Sequence, residues 1–167
     1  MAEEIGRLVA GRGWVLANGG YGGSMEASAR GAKSAGGRVI GVTCDLFSRE
    51  PNRYVDEVIR TPDLYARIRT LLERSDAYLA LPGATGTLAE VAMAWEMLAK
   101  RFLEPRPLVL VGEFWRPLFR MLVPHPGAAA AAGGLVRLVA TPVAAVDALD
   151  EFWGKSCGPA EPHGVRS

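Results

Sequence analysis

The feature that most constrains the fold is a pattern that occurs twice in the chain: a short apolar run, a glycine-rich loop and then a helical segment. The first copy spans residues 14–35 around the loop 18–23, and the second spans residues 77–101 around the loop 82–87. Apolar runs of four or five residues without alternation are typical of strands covered on both faces. Together with the intervening helices, the pattern predicts a three-layer α/β domain of the doubly wound kind, built on a parallel sheet.

The rest of the chain continues the same alternation. The sequence predicts further strands over 39–43, 108–111 and 136–140, and further helices over 3–12, 64–74, 114–123 and 143–153. Within the third predicted helix, Leu64, Ile68, Leu71 and Leu72 recur at helical spacing and are expected to face inward. The polar stretch 45–61 is predicted to be a surface loop, because it lacks a continuous apolar run.

Composition narrows the class of protein. With 167 residues, 49% of them apolar and 22% charged, the chain has the size and composition of one globular domain. We expect this domain to cover residues 1–153, with a flexible tail over 154–167 and a flexible Ala- and Gly-rich loop over 124–134. The net charge of +1 does not suggest a nucleic-acid or anionic-membrane surface. Every long apolar stretch is interrupted by Gly, Pro or a charge, so no transmembrane helix is expected.

Cysteine content and the N-terminus bear on the cellular compartment. Cys44 and Cys157 are too few for a disulfide framework or a structural zinc site. The N-terminus, Met1-Ala2-Glu3-Glu4, is acidic and does not have the pattern of a signal peptide. These features predict a reduced, cytoplasmic protein without a metal site.

Both glycine-rich loops follow a predicted strand and precede a predicted helix. In a parallel α/β sheet this position lies at the carboxyl ends of the strands, where ligands bind. Glycines let the backbone approach a phosphate, and the free N–H groups at a helix start favour an anion, although glycines also serve tight turns for packing alone. Neither loop has the Gly-Lys-Ser/Thr sequence of a P-loop, so ATP hydrolysis of that type is not expected. The pair of loops predicts a phosphorylated or nucleotide ligand.

The two loops also resemble the motifs of a known family. Residues Pro82–Glu90, which read PGATGTLAE, resemble the PGGxGTxxE signature of the LOG ("Lonely Guy") family, and Gly19–Met25 resembles its GGxxGxM stretch. The resemblance extends in order and spacing from Gly13 to Val111, and the family is related to molybdenum-cofactor carrier proteins. It implies a Rossmann-like domain that binds a small-molecule nucleotide and needs no metal or redox cofactor.

The activity that the resemblance implies is that of a nucleoside 5′-monophosphate phosphoribohydrolase. Such an enzyme is an N-glycosyl hydrolase that converts a cytokinin-type or AMP-like nucleotide to the free base and ribose 5-phosphate. The family's catalytic Arg and Glu correspond to Arg67 and Glu90. Its substrate- and phosphate-binding positions correspond to Gly19, Gly20, Gly23, Met25, Gly83, Ala84, Thr85, Gly86 and Thr87.

The chain departs from the family pattern at three positions. Asn18 and Ala84 stand where the family has Gly, and Ile68 stands where it has Lys, with Arg69 next to it as a possible substitute. A non-catalytic nucleotide-binding or molybdenum-cofactor carrier protein is therefore the alternative function.

Other interpretations of the candidate residues remain open on sequence alone. Thr87 and Glu90 have the spacing of a capping box, in which the Glu side chain serves the helix end. Arg67 shares its predicted helix with several charges, as a solvated surface side chain does. Met25 also suits a packing position beneath the loop, and Tyr21 suits either stacking on a base or an exposed turn.

Two expectations concern assembly and the start of the fold. The predicted helix 88–101 is apolar nearly all round, which favours packing against a second subunit, and the resemblance implies a homodimer through this helix. Family members usually open with a strand and a small-residue loop, whereas this chain opens in the predicted helix 3–12. Either the natural start lies upstream or the domain lacks that strand, so we expect a sheet without the family's first strand.

Overall fold

The computed structural model describes residues 1–124 and 134–156. Its elements are α1 (Ala2–Gly11), β1 (Leu16–Asn18), α2 (Ser24–Ser34), β2 (Val39–Cys44), β3 (Glu57–Thr61), α3 (Leu64–Arg74), β4 (Tyr78–Ala80), α4 (Thr85–Ala99), β5 (Leu108–Val111), α5 (Arg116–Leu122), β6 (Val136–Val139) and α6 (Pro142–Ser156). A short 3₁₀ turn, Glu113–Trp115, precedes α5. The predicted alternation of strands and helices is confirmed.

The strands form two parallel three-stranded sheets, in the orders β1-β2-β3 and β4-β5-β6. In the first sheet Leu16 lies opposite Val39, and in the second Leu79 lies opposite Val109. No backbone hydrogen bonds join β1 to β4, and no strand of the described residues lies between these two strands. The predicted parallel sheet is therefore present as two halves, in which β1 and β4 are edge strands, as are β3 and β6.

Strand β5 shows why the fold has three layers. Leu108 and Leu110 pack with α3 and α4 in one core cluster, whereas Val109 and Val111 pack with α1 and α6 in another. All four side chains are buried, since successive residues of a strand point to opposite faces. Helices thus cover both faces, which confirms the prediction of a Rossmann-like three-layer domain.

The structure corrects two details of the sequence prediction. The stretch predicted as a surface loop over 45–61 contains β3, whose residues Glu57–Thr61 pair with β2 along its whole length. This strand was missed because Glu57 and Arg60 interrupt its apolar residues, as charges often do on an edge strand. Leu64 was expected to face inward but is 39% exposed, because it is the first residue of α3.

Parts of the remaining predictions fall at or beyond the described ranges. Helix α6 continues to Ser156 and so includes the first three residues assigned to the tail. Residues 125–133 of the predicted flexible loop, and 157–167 of the predicted tail with Cys157, lie outside the described residues. Within the described residues, no helix has the length and apolar character needed to cross a membrane.

Candidate active site

An ion pair lies where the two halves of the domain meet. Arg67 of α3 donates from Nη1 to Oε1 of Glu90 on α4, with 3.1 Å between the atoms. The loop that leaves the carboxyl end of β1 contacts the same arginine through Gly19. The structure therefore brings together the two residues predicted as catalytic, next to the first glycine-rich loop.

Arg67 is held in place by the backbone of its surroundings. Asp63 caps α3 by accepting a hydrogen bond from the Ala66 amide at 2.8 Å, and the helix begins at Leu64, three residues before Arg67. Arg67 is only 6% exposed, and its Nε donates to the Val42 carbonyl oxygen at 2.9 Å. The interpretation of Arg67 as a solvated surface charge is wrong, because the end of β2 and α4 enclose its guanidinium.

Glu90 occupies the boundary between the interior and solvent, with 34% of its side chain exposed. Burial raises the pKa of the Glu90 carboxyl above its usual value, and the Arg67 guanidinium partly opposes this rise. The capping-box interpretation is wrong, because α4 begins at Thr85, its N-cap residue is Ala84, and no side chain caps it. The Glu90 carboxylate is therefore available for chemistry at the surface of the site.

The first glycine-rich loop is shaped around Arg67. A Cβ at Gly19 would lie 1.6 Å from Arg67 Nη2 and 2.7 Å from the Met25 sulfur, so only glycine fits. Nη2 of Arg67 lies 4.0 Å from Sδ of Met25, so Met25 packs against the guanidinium. Gly20 has a φ of +74°, in the region that favours glycine, and Gly23 precedes the first residue of α2.

Two asparagines fasten this loop. The side chain of Asn18 accepts from the Gly20 amide at 2.8 Å and donates to the Met25 carbonyl at 3.0 Å. Asn52 donates from Nδ2 to the carbonyl oxygens of Gly20 and Tyr21, at 3.0 and 2.9 Å. Asn18 is thus a structural replacement for the family's glycine. Asn52 was not identified from the sequence, because it lies in a polar stretch without a recognisable pattern.

Tyr21 is buried rather than displayed in the loop. It is 4% exposed, and its hydroxyl accepts from the Cys44 amide at 2.8 Å and lies 3.1 Å from the Cys44 carbonyl oxygen, to which it donates. Both sequence interpretations, a base-stacking ring and an exposed turn residue, are wrong, because the side chain fills the space between the loop and the end of β2.

The second glycine-rich loop is shorter than predicted, since Thr85, Gly86 and Thr87 already belong to the first turn of α4. Gly83 packs against the Thr87 side chain, and a Cβ there would lie 2.2 Å from Thr87 Oγ1. The amides of a first helical turn have no partner within the helix. This turn therefore presents free N–H groups one turn before Glu90.

Ile68, at the position where the family has Lys, is an apolar core residue. Ile68 is 7% exposed and belongs to the core cluster between α3, α4 and the sheet. Arg69, the possible substitute, lies on the exposed surface of α3. The charged groups that the structure brings to the site are thus Arg67 and Glu90.

These features define a class of protein. A three-layer parallel α/β domain is the Rossmann-like fold that this chain shares with molybdenum-cofactor-binding proteins, and here it carries glycine-rich turns and an Arg–Glu pair at the carboxyl ends of its strands. The sequence model of the SLOG cluster4 family matches residues 1–103, and the chain belongs to this family. The predicted resemblance to the LOG family is confirmed.

Individual relatives show how far the similarity reaches. An uncharacterized protein from Archaeoglobus fulgidus is 40% identical over 114 residues, which cover 66% of this chain and 72% of that protein. A cytokinin riboside 5′-monophosphate phosphoribohydrolase from Mycobacterium tuberculosis is 38% identical over 98 residues, 57% of this chain. The matched part spans about half (52%) of that mycobacterial protein.

A solved structure confirms the fold. The molybdenum cofactor binding protein from Rippkaea orientalis superposes with a TM-score of 0.73 at 28% identity. The superposition covers 91% of this chain and 85% of that protein. The proteins that are similar to this chain thus include some named for nucleotide hydrolysis and others named for cofactor binding.

Proposed function

We propose that this protein is a nucleoside 5′-monophosphate phosphoribohydrolase, an enzyme that cleaves the N-glycosidic bond of cytokinin-type or AMP-like nucleotides. The observation that carries this proposal is the Glu90 carboxyl, paired with a buried Arg67 and partly open to solvent beside both glycine-rich loops. The names of the mycobacterial and other relatives support the same reaction class.

Glu90 is the catalytic residue in this proposal. Hydrolysis of an N-glycoside passes through an oxocarbenium-like transition state, which a nearby carboxylate stabilises. Glu90 takes a proton from water as the water oxygen bonds to C1′ of the ribose. The electron pair of the broken C1′–N bond stays on the base, which leaves after taking up a proton. A raised pKa suits Glu90 to this work, because a general base acts best when its pKa approaches the working pH.

Arg67 acts in this proposal through Glu90. Its Nε and Nη1 are already engaged by Val42 and Glu90, and it is 6% exposed, so it is poorly placed for a bidentate grip on a phosphate. Burial raises the pKa of Glu90, and the positive charge of Arg67 lowers it. Arg67 thus keeps a larger fraction of Glu90 ionised than burial alone would allow. Arg67 is therefore assigned a positioning and electrostatic role.

The 5′-phosphate is assigned to the start of α4. The amides of Thr85, Gly86 and Thr87 are free of helical partners, and the positive end of the helix dipole favours an anion there. The close packing of Gly83 on Thr87 holds the Thr87 hydroxyl beside these amides. The first loop contacts Arg67 through Gly19 and Met25. We assign Gly19, Gly20, Gly23 and Met25 to the other side of the substrate, with the ribose over Glu90.

The test is a turnover assay with AMP and isopentenyl-AMP, in which free base and ribose 5-phosphate are measured. We expect release by the wild-type protein and a fall on the order of 10² to 10⁴ in kcat for Glu90→Gln, because the general base is lost. Glu96→Gln, on an exposed part of the same helix, is the matched control and should retain activity. Binding of both nucleotides without any turnover by the wild-type protein would contradict the proposal.

A second candidate function is binding of a molybdenum cofactor without catalysis. The observation that favours it is the superposition on the Rippkaea orientalis protein, which covers 91% of this chain. The free amides of α4 suit the phosphate of such a cofactor as well as that of a nucleotide. Retention of molybdenum cofactor through gel filtration, by a protein that does not turn over nucleotides, would establish this function instead.

A further inference from the structure

Tyr21 has a role that neither the motif nor the proposed reaction assigns. It stands at a variable position of the GGxxGxM stretch, yet it is only 4% exposed. Its hydroxyl accepts a hydrogen bond from the Cys44 amide and donates one to the Cys44 carbonyl oxygen. The hydroxyl thus fastens the first loop to the last residue of β2. A variable loop position does not by itself require an aromatic residue with two buried hydrogen bonds.

The Tyr21 ring also contacts the ion pair. The guanidinium carbon of Arg67 lies 5.8 Å from the centre of the ring, within the range of a cation–π interaction. The ring of Phe47 also packs on Tyr21, with 5.8 Å between centroids and an angle of 63°. The position of the Tyr21 ring is therefore fixed by its burial, by the Phe47 contact and by the two hydrogen bonds of its hydroxyl to Cys44.

The remaining sides of the guanidinium are closed as well. Val42 accepts from Nε at 2.9 Å, Glu90 accepts from Nη1 at 3.1 Å, and Gly19 lies against Nη2. If the Tyr21 ring were absent, the guanidinium would have open space on one side. It would then be free to move away from Glu90, since its other contacts lie at its edge.

We propose that Tyr21 is a positioning residue, whose ring holds Arg67 against Glu90 and whose hydroxyl separately fixes the loop to β2. The expected effect of Tyr21 on turnover rests on the proposed hydrolase function. The expected effect of Tyr21 on the titration of Glu90 does not. The charged group that contacts Glu90 is Arg67 from α3, and the ring of Tyr21 from the first loop lies over the Arg67 guanidinium.

The experiment compares Tyr21→Phe, which keeps the ring, with Tyr21→Leu, which removes it. We expect Tyr21→Leu to lower kcat for AMP about tenfold, with a smaller change in KM, since the loss of a desolvated cation–π contact acts on the catalytic pair. We also expect the acid limb of its kcat–pH profile to move to higher pH, because Arg67 no longer lowers the pKa of Glu90 as strongly. Tyr21→Phe should keep the wild-type acid limb but melt at a lower temperature, because the Cys44 amide loses its partner.

Controls separate this role from a general effect on folding. Tyr65→Leu makes the same change at a tyrosine that is 82% exposed on α3, and should leave kcat and the acid limb unchanged. Circular dichroism establishes that each variant is folded, and Tyr21→Met replaces Tyr21→Leu if the latter does not fold. An unmoved acid limb in the ring-less variant, or equal losses in Tyr21→Phe and Tyr21→Leu without such a shift, would overturn the proposal.

A readout without turnover distinguishes failure of this proposal from failure of the hydrolase function. The titration midpoint of Glu90 is measured by NMR of ¹³C-labelled glutamate carboxyls, with Glu90→Gln identifying the signal. We expect a higher midpoint in Tyr21→Leu than in the wild type and Tyr21→Phe. Equal midpoints in all three proteins would overturn the role of Tyr21, whereas absence of turnover in the wild type, with shifted midpoints, would overturn only the hydrolase function.

Discussion

At the scale of single residues, the Arg67 guanidinium occupies the space that a side chain at position 19 would fill. The guanidinium lies where a side chain at position 19 would begin, since a Cβ there would come within 1.6 Å of Nη2. Arg67 in turn places Glu90 through the 3.1 Å hydrogen bond. The absence of a side chain at Gly19 is thus a condition for the geometry of the ion pair.

Gly19→Ala should therefore damage the site more than the fold. We expect it to displace the Arg67 guanidinium and abolish measurable turnover, while overpacking costs about 1–3 kcal/mol of the free energy of unfolding. Urea denaturation and the nucleotide assay measure the two effects. Gly22→Ala is the matched control in the same loop, because its Cβ would meet nothing closer than Glu26 Oε2 at 3.9 Å. Wild-type turnover in Gly19→Ala would show that Arg67 does not need its present position.

The raised pKa of Glu90 implies that the free energy of unfolding depends on pH. A carboxyl whose pKa is higher in the folded state than in the unfolded state binds its proton more tightly when folded. Its contribution to stability is therefore fully present below the unfolded-state pKa and is lost as the pH rises through the folded-state pKa. Glu90→Gln does not titrate, so the free energy of unfolding of this variant should gain on the wild type as the pH increases across that window.

Denaturation curves at a series of pH values measure this difference. Glu96→Gln, whose carboxyl lies in solvent on the same helix, should show no comparable trend relative to the wild type. If Glu90→Gln instead loses stability relative to the wild type as the pH rises, Arg67 outweighs burial at Glu90.

At the scale of elements, α4 combines three functions in one helix. Its first turn carries the free amides of Thr85–Thr87, its buried side includes Trp95, and Glu90 lies at the boundary between interior and solvent. Leu88 and Met93 are each 42% exposed on its solvent side. These exposed apolar side chains belong to the surface that the predicted homodimer through helix 88–101 would use.

Met93→Glu tests this interface. We expect the wild-type chain to sediment as a dimer and the variant as a monomer, because a buried charge without a partner opposes association. Val143→Glu places the same charge on a residue that is 49% exposed on α6, and should leave the dimer intact. A wild-type monomer in analytical ultracentrifugation, or a dimer that tolerates Met93→Glu, would remove helix α4 from the proposed interface.

At the scale of the whole molecule, the division of the sheet is the main departure from a continuous doubly wound fold. The sheets end at β1 and β4, and neither strand is bonded to the other. In a parallel ladder successive amides point to opposite sides. Leu16 donates to the Arg38 carbonyl at 3.0 Å and Tyr78 to the Pro107 carbonyl at 2.9 Å, so the amides of Ala17 and Leu79 point to the free edges.

Hydrogen exchange should reveal these edges. We expect the amides of Ala17 and Leu79 to exchange faster than those of Leu16 and Tyr78, by on the order of tenfold or more, because only the latter are hydrogen-bonded within the described sheets. The neighbouring amides of the same strands are the internal controls. Equal protection of all four amides would show that another segment or chain pairs with β1 and β4 in solution.

Short-range patterns in the sequence were sufficient for much of the architecture. Apolar runs predicted β2, β4 and β5 to within one residue at each end, and the spacing of apolar side chains predicted α3 over Leu64–Arg74. The motifs also identified Arg67 and Glu90 as candidates. These successes share a cause, since periodicity, glycine-rich turns and motif spacing are all properties of neighbouring residues.

What the sequence could not supply depends on contacts between distant segments. Arg67 and Glu90 are 23 residues apart, and Asn52 reaches the first loop from 32 residues away, so no local pattern shows that they meet. The burial of Tyr21 depends on β2, and the charged strand β3 forms only because β2 offers an edge to pair with.

By itself, the sequence determined the family, the parallel α/β class and the two candidate charged residues of the site. Only the tertiary structure decided that Arg67 is buried, that Glu90 is its partner rather than a helix cap, and that the sheet is divided between β1 and β4. The physical reason is that local propensities fix where strands and helices form. Burial, ion pairing and strand neighbours are fixed by which distant surfaces pack together.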